Sequence, residues 1–128
     1  MADYGLALQT AIFNALSAAL SVTVYDDVPA NAQMPYVVID NQFAQDASPL
    51  VEVRSEFFVY LTVWSKQAGQ HQVLAVMADI FDALDRQKPT LTAGRVVDMR
   101  VIRRESGRDA DDKTYMGMVT VRAIVEHT

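Results

Sequence analysis

The segment VEVRSEFFVYLTVWS (residues 51–65) alternates between two kinds of side chain along almost its whole length. A period of two is typical of a β-strand whose faces meet different surroundings. One face is mostly apolar and is expected to be buried: Val51, Val53, Ser55, Phe57, Val59, Leu61 and Val63. The other face begins with charged residues and ends with Phe58, Tyr60 and Trp64. The alternation predicts a long strand whose second face is too apolar to be left to water.

The residues after this strand repeat with the period of an α-helix. Apolar side chains at i, i+3 and i+4 spacing form one stripe: Val73, Leu74, Met77, Ile80, Phe81 and Leu84. Polar and small residues fall on the opposite side: Gln72, Ala75, Asp79 and Asp82. We expect an amphipathic helix that begins near Gln70 and is ended by the run RQKPT, because Pro89 cannot continue a helix.

The rest of the chain supplies one more helix and four more strands. The helix is predicted from about Asp3, which can cap its start, to Leu20. The strands are predicted in SVTVYDDVP (21–29), YVVIDN (36–41), RVVDMRVIRR (95–104) and KTYMGMVTVRAIVEH (113–127). Two connections are expected to be irregular: QFAQDASPL (42–50), as a flexible segment, and ESGRDADD (105–112), as a hairpin loop.

Two of these strands carry apolar residues on one face. Val97, Met99 and Val101 alternate in the first, and Tyr115, Val119, Val121, Ala123 and Val125 do so in the second. The order α-β-β-β-α-β-β predicts a single α+β domain over residues 1–128. We expect a largely antiparallel mixed sheet of about five strands with two helices packed on one face.

Composition excludes several functional classes. The chain has 128 residues, no Cys and a formal net charge of −5, so it has no thiolate chemistry and is not built to coat nucleic acid. No apolar run approaches the roughly 18 residues of a membrane span. The N-terminus lacks the basic region of a secretory signal, so a protein made and used in the cytoplasm, with no membrane partner, is expected.

Residues suited to catalysis are few. His71 and His127 have no partner at helical spacing and are expected to be solvated, His127 at a fraying end. No serine lies in a G-x-S-x-G context. We therefore expect a protein that is not an enzyme and that uses no cofactor.

Acidic residues offer two candidate cation sites, and neither is favoured. Asp79, Asp82 and Asp85 are spaced along one helix, but a wet helix face is the expected role, because such sites usually draw on a shaped loop. The trio Asp109, Asp111 and Asp112 lacks the order of a calcium loop. No metal site is predicted.

The second face of the long strand has apolar counterparts on the last strand. Met116 and Met118 are predicted to lie beside Phe58, Tyr60 and Trp64, and interface cores favour aromatic residues and Met. We expect these residues to form a subunit interface. Two alternatives are that the segment 41–50 or the first helix covers this face, or that the aromatic residues line a small-molecule cleft in a stand-alone module.

The segment 103–113 balances its charges. Arg103, Arg104, Arg108 and Lys113 stand against Glu105, Asp109, Asp111 and Asp112. A loop that grips DNA would carry excess positive charge. Balanced charges are typical of protein contacts that need a fixed register, and the other interpretation is a solvated loop tip.

Several motifs, taken in order, resemble the tail completion, or tail terminator, proteins of long-tailed bacteriophages and gene transfer agents. They are LQTAIFNAL, VYDDVPANAQMPYVVI, a strand that ends in VWS, and the helix VLAVMADIFDALD. The resemblance implies a structural virion protein that forms a homo-hexameric ring on the head-proximal end of the tail tube. Such a ring stops tube polymerisation and joins the tail to the head.

The resemblance also implies partners and a location in the virion, at the head–tail neck. The partners are other copies of the chain, the tail tube protein and the head–tail connector, adaptor or stopper protein, while DNA passes through the lumen without sequence-specific binding. The expected docking residues for tube or connector are Arg103, Arg104, Arg108, Asp109, Asp111 and Lys113. Another neck or head-completion adaptor ring is the alternative.

Overall fold

Helices and strands follow one another in the predicted order in the computed structural model, which describes residues 3–109 and 113–128. The helices are α1 (Tyr4–Ala19) and α2 (His71–Leu84). The strands are β1 (Thr23–Tyr25), β2 (Tyr36–Asp46), β3 (Arg54–Ser65), β4 (Arg95–Arg108) and β5 (Tyr115–Glu126). The predicted α+β class and element order are confirmed.

The five strands form one mixed sheet in the order β1-β2-β3-β5-β4. β1 runs parallel to β2, and every other neighbouring pair is antiparallel. Both helices contribute to one hydrophobic core with the sheet, so both lie on the same face. No helix in the described ranges combines the length and the apolar character that a membrane span requires.

The core lies between β3, β5 and the helices, with the predicted strand parity. Phe57, Val59, Leu61 and Val63 are buried, and Leu61 is only 1% exposed. The predicted face of β5 is also buried, apart from a half-buried Tyr115: Val119, Val121, Ala123 and Val125. Opposite them, α1 contributes Leu8, Ile12 and Leu16. Apolar burial of this kind is the main favourable term in folding.

Close approach of α2 to the sheet depends on Gly117 of β5. A Cβ atom at that position would lie 2.6 Å from Val73 Cγ1 and 2.8 Å from Met77 Sδ. Both distances are far shorter than a normal contact between heavy atoms of about 3.5–4.0 Å. A side chain at residue 117 would therefore push the helix away from the strand.

The helix ends differ in how closely they follow expectation. Asp3 caps α1 as predicted, because its Oδ1 accepts a hydrogen bond of 2.9 Å from the Leu6 N–H. α2 ends at Leu84, and Arg86 then adopts a left-handed φ of 59°, so the helix stops before Pro89 is reached.

The prediction that Leu74 belongs to the buried stripe of α2 is wrong. Leu74 is 49% exposed, and Val76 is buried in its place. The sheet lies beside the row formed by Val73, Val76, Met77, Ile80 and Leu84. The helix is therefore rotated slightly from the orientation that the stripe alone predicted.

β2 continues beyond the predicted boundary. Residues 42–46, expected to be part of a flexible segment, pair with β3 as far as Asp46 opposite Ser55. The pairing passes through an irregularity at Asp40. β3 in turn begins at Arg54, so Val51 and Val53 lie in the turn and are exposed. The expectation that they face the core was wrong.

β4 is also longer than predicted and contains two bulges. The register shifts between Val96 and Asp98 and again between Val101 and Arg103. Each bulge inserts one residue and reverses the alternation. Val96 and Met99 are therefore the buried pair, and the prediction that Val97 shares the face of Met99 was wrong. Residues 105–108, expected in the hairpin loop, belong to the strand.

Candidate assembly surfaces

The sheet face turned away from the helices, here called the open face, carries the aromatic residues singled out in the sequence. Phe58, Tyr60 and Trp64 alternate with the buried residues of β3, and each is half-buried. Neither predicted cover lies over them, because residues 41–46 belong to β2 and α1 packs into the core. These side chains are shielded by their neighbours within the sheet.

The two methionines lie beside this aromatic column, as predicted. Met116 pairs with Trp64 and Met118 pairs with Thr62 across β3 and β5. Met118 is 42% exposed and is the most accessible of the predicted interface residues. The structure thus brings all five predicted residues together on one face.

Phe43 belongs to the same surface and was missed in the sequence. It pairs with Phe58 across β2 and β3, their ring centroids are 6.1 Å apart, and Phe43 is 52% exposed. Its segment was expected to be a loop, so its side of a strand could not be assigned. The signal was present as an aromatic residue in an otherwise polar stretch.

A ladder of charged side chains crosses one end of the open face. Arg122 of β5 contacts Glu56 of β3, and its Nη1 lies 3.9 Å from Asp98 Oδ2 on β4. Arg100 also reaches Asp98, with 3.3 Å between Nε and Oδ1. The Gln45 amide, at 2.5 Å, and the Arg122 guanidinium hold the pKa of Glu56 below its ordinary value. The open face is therefore apolar along its centre and ionic at one end.

The predicted docking segment is divided by the strand that it contains. Arg103 pairs with Glu105 at 2.9 Å on the open face, whereas the guanidinium of Arg104 lies 4.4 Å from the Phe81 ring centre on the helix side. Arg108 donates a hydrogen bond of 2.8 Å to the Tyr115 hydroxyl. The predicted set therefore does not form one surface.

Only the outer part of that set lies beyond the strands. Asp109 and Lys113 flank the turn, where the Asp109 N–H donates a hydrogen bond of 2.7 Å to the Thr114 carbonyl. Asp111, and with it Asp112, lies outside the described residues.

The turn between β2 and β3, at the opposite end of the sheet, is apolar. Leu50 is 106% exposed, Val51 is 92% exposed and Val53 is 55% exposed, relative to a reference chain. The turn is closed by a hydrogen bond of 3.0 Å from the Ala47 N–H to the Arg54 carbonyl. Isolated exposed apolar residues are ordinary, but three in one turn form a small surface, and the sequence pattern had assigned two of them, Val51 and Val53, to the core face.

The candidate catalytic and cation-binding residues are dispersed. His71 is exposed at the start of α2, and Asp79 and Asp82 are exposed along it. Asp85 does not belong to a wet helix face as expected, because its Oδ1 accepts a hydrogen bond of 3.0 Å from the Val101 N–H. Within residues 3–109 and 113–128, no three His, Asp or Glu side chains converge on a point where a metal ion could bind.

Five shallow cavities in the described part of the chain have volumes of about 120 to 400 Å³. None of these five is lined by Phe58, Tyr60 or Trp64. A drug-sized ligand usually occupies a cleft of about 300–1,000 Å³ lined by apolar and aromatic side chains. None of these five cavities supports the alternative of a small-molecule cleft at Phe58, Tyr60 and Trp64.

Two comparisons with known proteins found matches that extend over almost the whole chain. The chain is similar to one in a structure described as "Virion of native gene transfer agent (GTA) particle", with a TM-score of 0.85 and 26% identity. The match covers 95% of this chain and 96% of that chain. No curated protein sequence matches. A family model described as "Tail completion protein gp17" matches residues 7–126. These residues are nearly the whole sequence, and the chain therefore belongs to the tail completion protein family.

Proposed function

We propose that the protein is a structural component of a virion tail that forms a ring at the head-proximal end of the tail tube. The ring ends tube polymerisation and joins the tail to the head connector. Family membership over residues 7–126 and the likeness to a chain of a gene transfer agent virion support a role in tail assembly. The ring, its hexameric stoichiometry and its partners are the proposed part.

The observation that carries the proposal is the apolar column of the open face. Phe58, Tyr60, Trp64, Met116 and Met118 share one face, and the helices cover only the other. Burial of apolar area is worth roughly 25 cal/mol per Å² before ordering costs are subtracted. A contact with a further protein surface would therefore be favourable, and we assign this column to assembly with copies of the chain or with the last ring of the tube.

The turn between β4 and β5 is proposed as the docking element for tube or connector. Its described charged residues, Asp109 and Lys113, are of opposite sign and lie at the end of two long strands. Complementary charges at such a tip set the register of a protein contact more than its affinity. Arg103, Arg104 and Arg108 lie within β4 or at its end, so their part in docking is indirect.

DNA is proposed to pass through the ring without being held. A protein surface that neutralises several phosphates binds nucleic acid strongly at physiological salt. The net charge of −5 opposes such binding. Electrophoretic mobility of duplex DNA with and without the protein at physiological salt tests this part, and a stable complex would contradict it.

Loss of the protein from a particle-producing strain tests the proposed function. We expect tails of uncontrolled length that carry no heads, and restoration of uniform tails when the wild-type gene is supplied. The purified protein is expected to have the native mass of a ring. Tails of normal length joined to heads in its absence would contradict the proposal, and imaging of a labelled copy between tube and connector distinguishes it from another neck adaptor.

A variant of the open face tests the proposed surface. Met118→Asp places a charge at the most exposed of the five residues and should abolish incorporation into particles. Met118→Leu keeps the apolar character and should assemble as the wild type does. Equal assembly of both variants would remove the open face from the assembly contacts.

A further inference from the structure

One edge of the sheet is unpaired over half of a strand. β1 pairs with β2 only from Tyr36 to Val38. Residues 40–46 of β2 therefore have a neighbouring strand, β3, on one side only, and all of them are exposed. Within the described ranges no backbone hydrogen bond from another element reaches their outer side. These residues are here called the acidic edge.

The other edge is covered at its centre and open beyond it. The Arg86 N–H donates a hydrogen bond of 2.8 Å to the Met99 carbonyl, and Asp85 accepts from the Val101 N–H, so the segment after α2 protects the middle of β4. From residue 102 to residue 107 the described structure shows only β5 as a backbone partner. We call residues 102–107 the basic edge.

The two edges carry opposite charge. No Lys or Arg precedes Arg54, so the β1–β2 side of the sheet carries acidic residues alone, including Asp40 and Asp46. Asp26 lies beside Asp40, because both line one cavity of about 120 Å³. The basic edge holds Arg103 and Arg104 against Glu105, and Arg108 follows it directly.

Each edge also exposes one large apolar side chain. Phe43 on the acidic edge is 52% exposed, and Ile102 at the second bulge of β4 is 49% exposed. Natural proteins usually protect a long unpaired edge, because it is a template for pairing with another chain. Neither edge contains Pro or Lys, and the charges that each edge does carry favour a partner strand of the opposite sign.

We propose that copies of this chain join through antiparallel pairing of the acidic edge of one copy with the basic edge of the next. This contact rests on the proposed ring and names the surface that builds it. Pairing of two acidic edges, or of two basic edges, would place like charges opposite each other and is disfavoured. The contact is therefore heterologous, and such contacts give rings when the rotation closes.

Strand directions agree with this contact. β2 and β4 run in opposite directions within the sheet, so a neighbour added in the same orientation brings β4 against β2 in antiparallel fashion. The acidic edge and the basic edge lie at opposite ends of the strands, so neighbouring copies are staggered. Strand stagger is what closure of a sheet into a barrel requires. The open face then remains available to the last ring of the tube.

Edge-blocking variants test the contact. In β2 the Ala47 N–H points toward β3, so by antiparallel alternation the Ala44 N–H points outward, and Ala44→Pro removes an outer donor without breaking the β2–β3 ladder. Ile102→Asp replaces an exposed apolar side chain by an acidic one and cancels the net positive charge of the basic edge. Leu74→Asp is the matched control, because Leu74 on α2 is also 49% exposed.

Native mass measurements read the result. We expect rings from the wild type and from Leu74→Asp, and monomers from each edge variant at the same protein concentration. A cooperative melting transition of each edge variant shows that the monomer is folded. An equimolar mixture of Ala44→Pro and Ile102→Asp should yield heterodimers and nothing larger, because each retains one intact edge of opposite kind. If Ala44→Pro does not fold, Asp46→Arg, an exposed charge reversal, tests the same edge.

Rings of wild-type mass from folded forms of both edge variants would overturn the edge contact while leaving the proposed function intact. A wild-type protein that is monomeric at all concentrations and in particles would overturn both. Homodimers of either single variant would show an isologous contact and would also contradict the proposal.

Discussion

The rings of Tyr4 and His127 stack with their centroids 4.1 Å apart and their planes inclined by 10°. The first turn of α1 is thus joined to the end of β5. The Nε2 atom of His127 also lies 2.8 Å from the Ser55 hydroxyl oxygen. The backbone N–H of His127 donates a hydrogen bond of 2.9 Å to the Val53 carbonyl. The chain end predicted to fray is instead held at the edge of the core.

His127→Ala should lower the free energy of unfolding by about 1–2 kcal/mol, since it removes an aromatic pair and a side-chain hydrogen bond. Urea denaturation measures the loss. His71→Ala is the control, because His71 is exposed at the start of α2, and it should change stability little. Equal effects of the two substitutions would mean that the Tyr4–His127 stack contributes nothing.

Leu61→Ala should cost about 2–5 kcal/mol, because Leu61 is 1% exposed and truncation leaves a cavity. The same substitution at Leu50, which is fully exposed in the β2–β3 turn, should cost almost nothing. Chemical denaturation of both variants gives the comparison. A small loss for Leu61→Ala would contradict the position of the core.

Gly117→Ala and Gly107→Ala should change the free energy of unfolding in opposite directions. The added methyl group at residue 117 meets Val73 and Met77, and overpacking of this kind costs about 1–3 kcal/mol. A Cβ atom at residue 107 meets no atom within 4 Å, so replacement of a strand Gly should stabilise β4 by roughly 0.5–1 kcal/mol. Thermal denaturation measures both, and a neutral Gly117→Ala would show that α2 can move away without cost.

Stability should fall in acid partly through Glu56. The pKa of Glu56 is lowered from its ordinary value of 4.5 by Gln45 and Arg122, so the unfolded chain binds the proton more readily. The contribution of this carboxylate is present above pH 4.5 and is lost as the pH falls through the lower, folded pKa. Glu56→Gln should therefore destabilise the protein at pH 6 and make little difference near pH 3. A difference in melting temperature that does not change with pH would contradict this role.

Hydrophobic periodicity identified β3, β5 and α2 because each of these elements has one buried face. The second half of β2 has no such face, since residues 40–46 are all exposed and are held by backbone bonds to β3. Apart from the single aromatic residue Phe43, their side chains show no apolar alternation that would indicate a strand, so the place of Phe43 on the open face was missed. Boundaries set by backbone pairing alone are not readable from side-chain pattern.

The bulges of β4 had a similar effect on a finer scale. Val97 and Ile102 are the inserted residues. Because both are apolar, the sequence reads as an ordinary apolar strand, although each insertion reverses which residues face the core. The predicted docking set was divided by ordinary alternation, because Arg103 and Arg104 were grouped with the charged hairpin but are consecutive residues of β4 and lie on its opposite faces. The family, by contrast, was recognised from the order of short motifs, which does not depend on register.

Unlike edges give a growing assembly a direction. A partial ring joined by the contact proposed above always ends in one acidic strand and one basic strand, whatever number of copies it contains. Its two ends attract each other across the gap, and the copy that closes the circle makes the same two contacts as every copy before it. Completion of the ring then requires no specialised last subunit. An arc that has not closed keeps one unpaired edge at each end and can bind a further copy at either end.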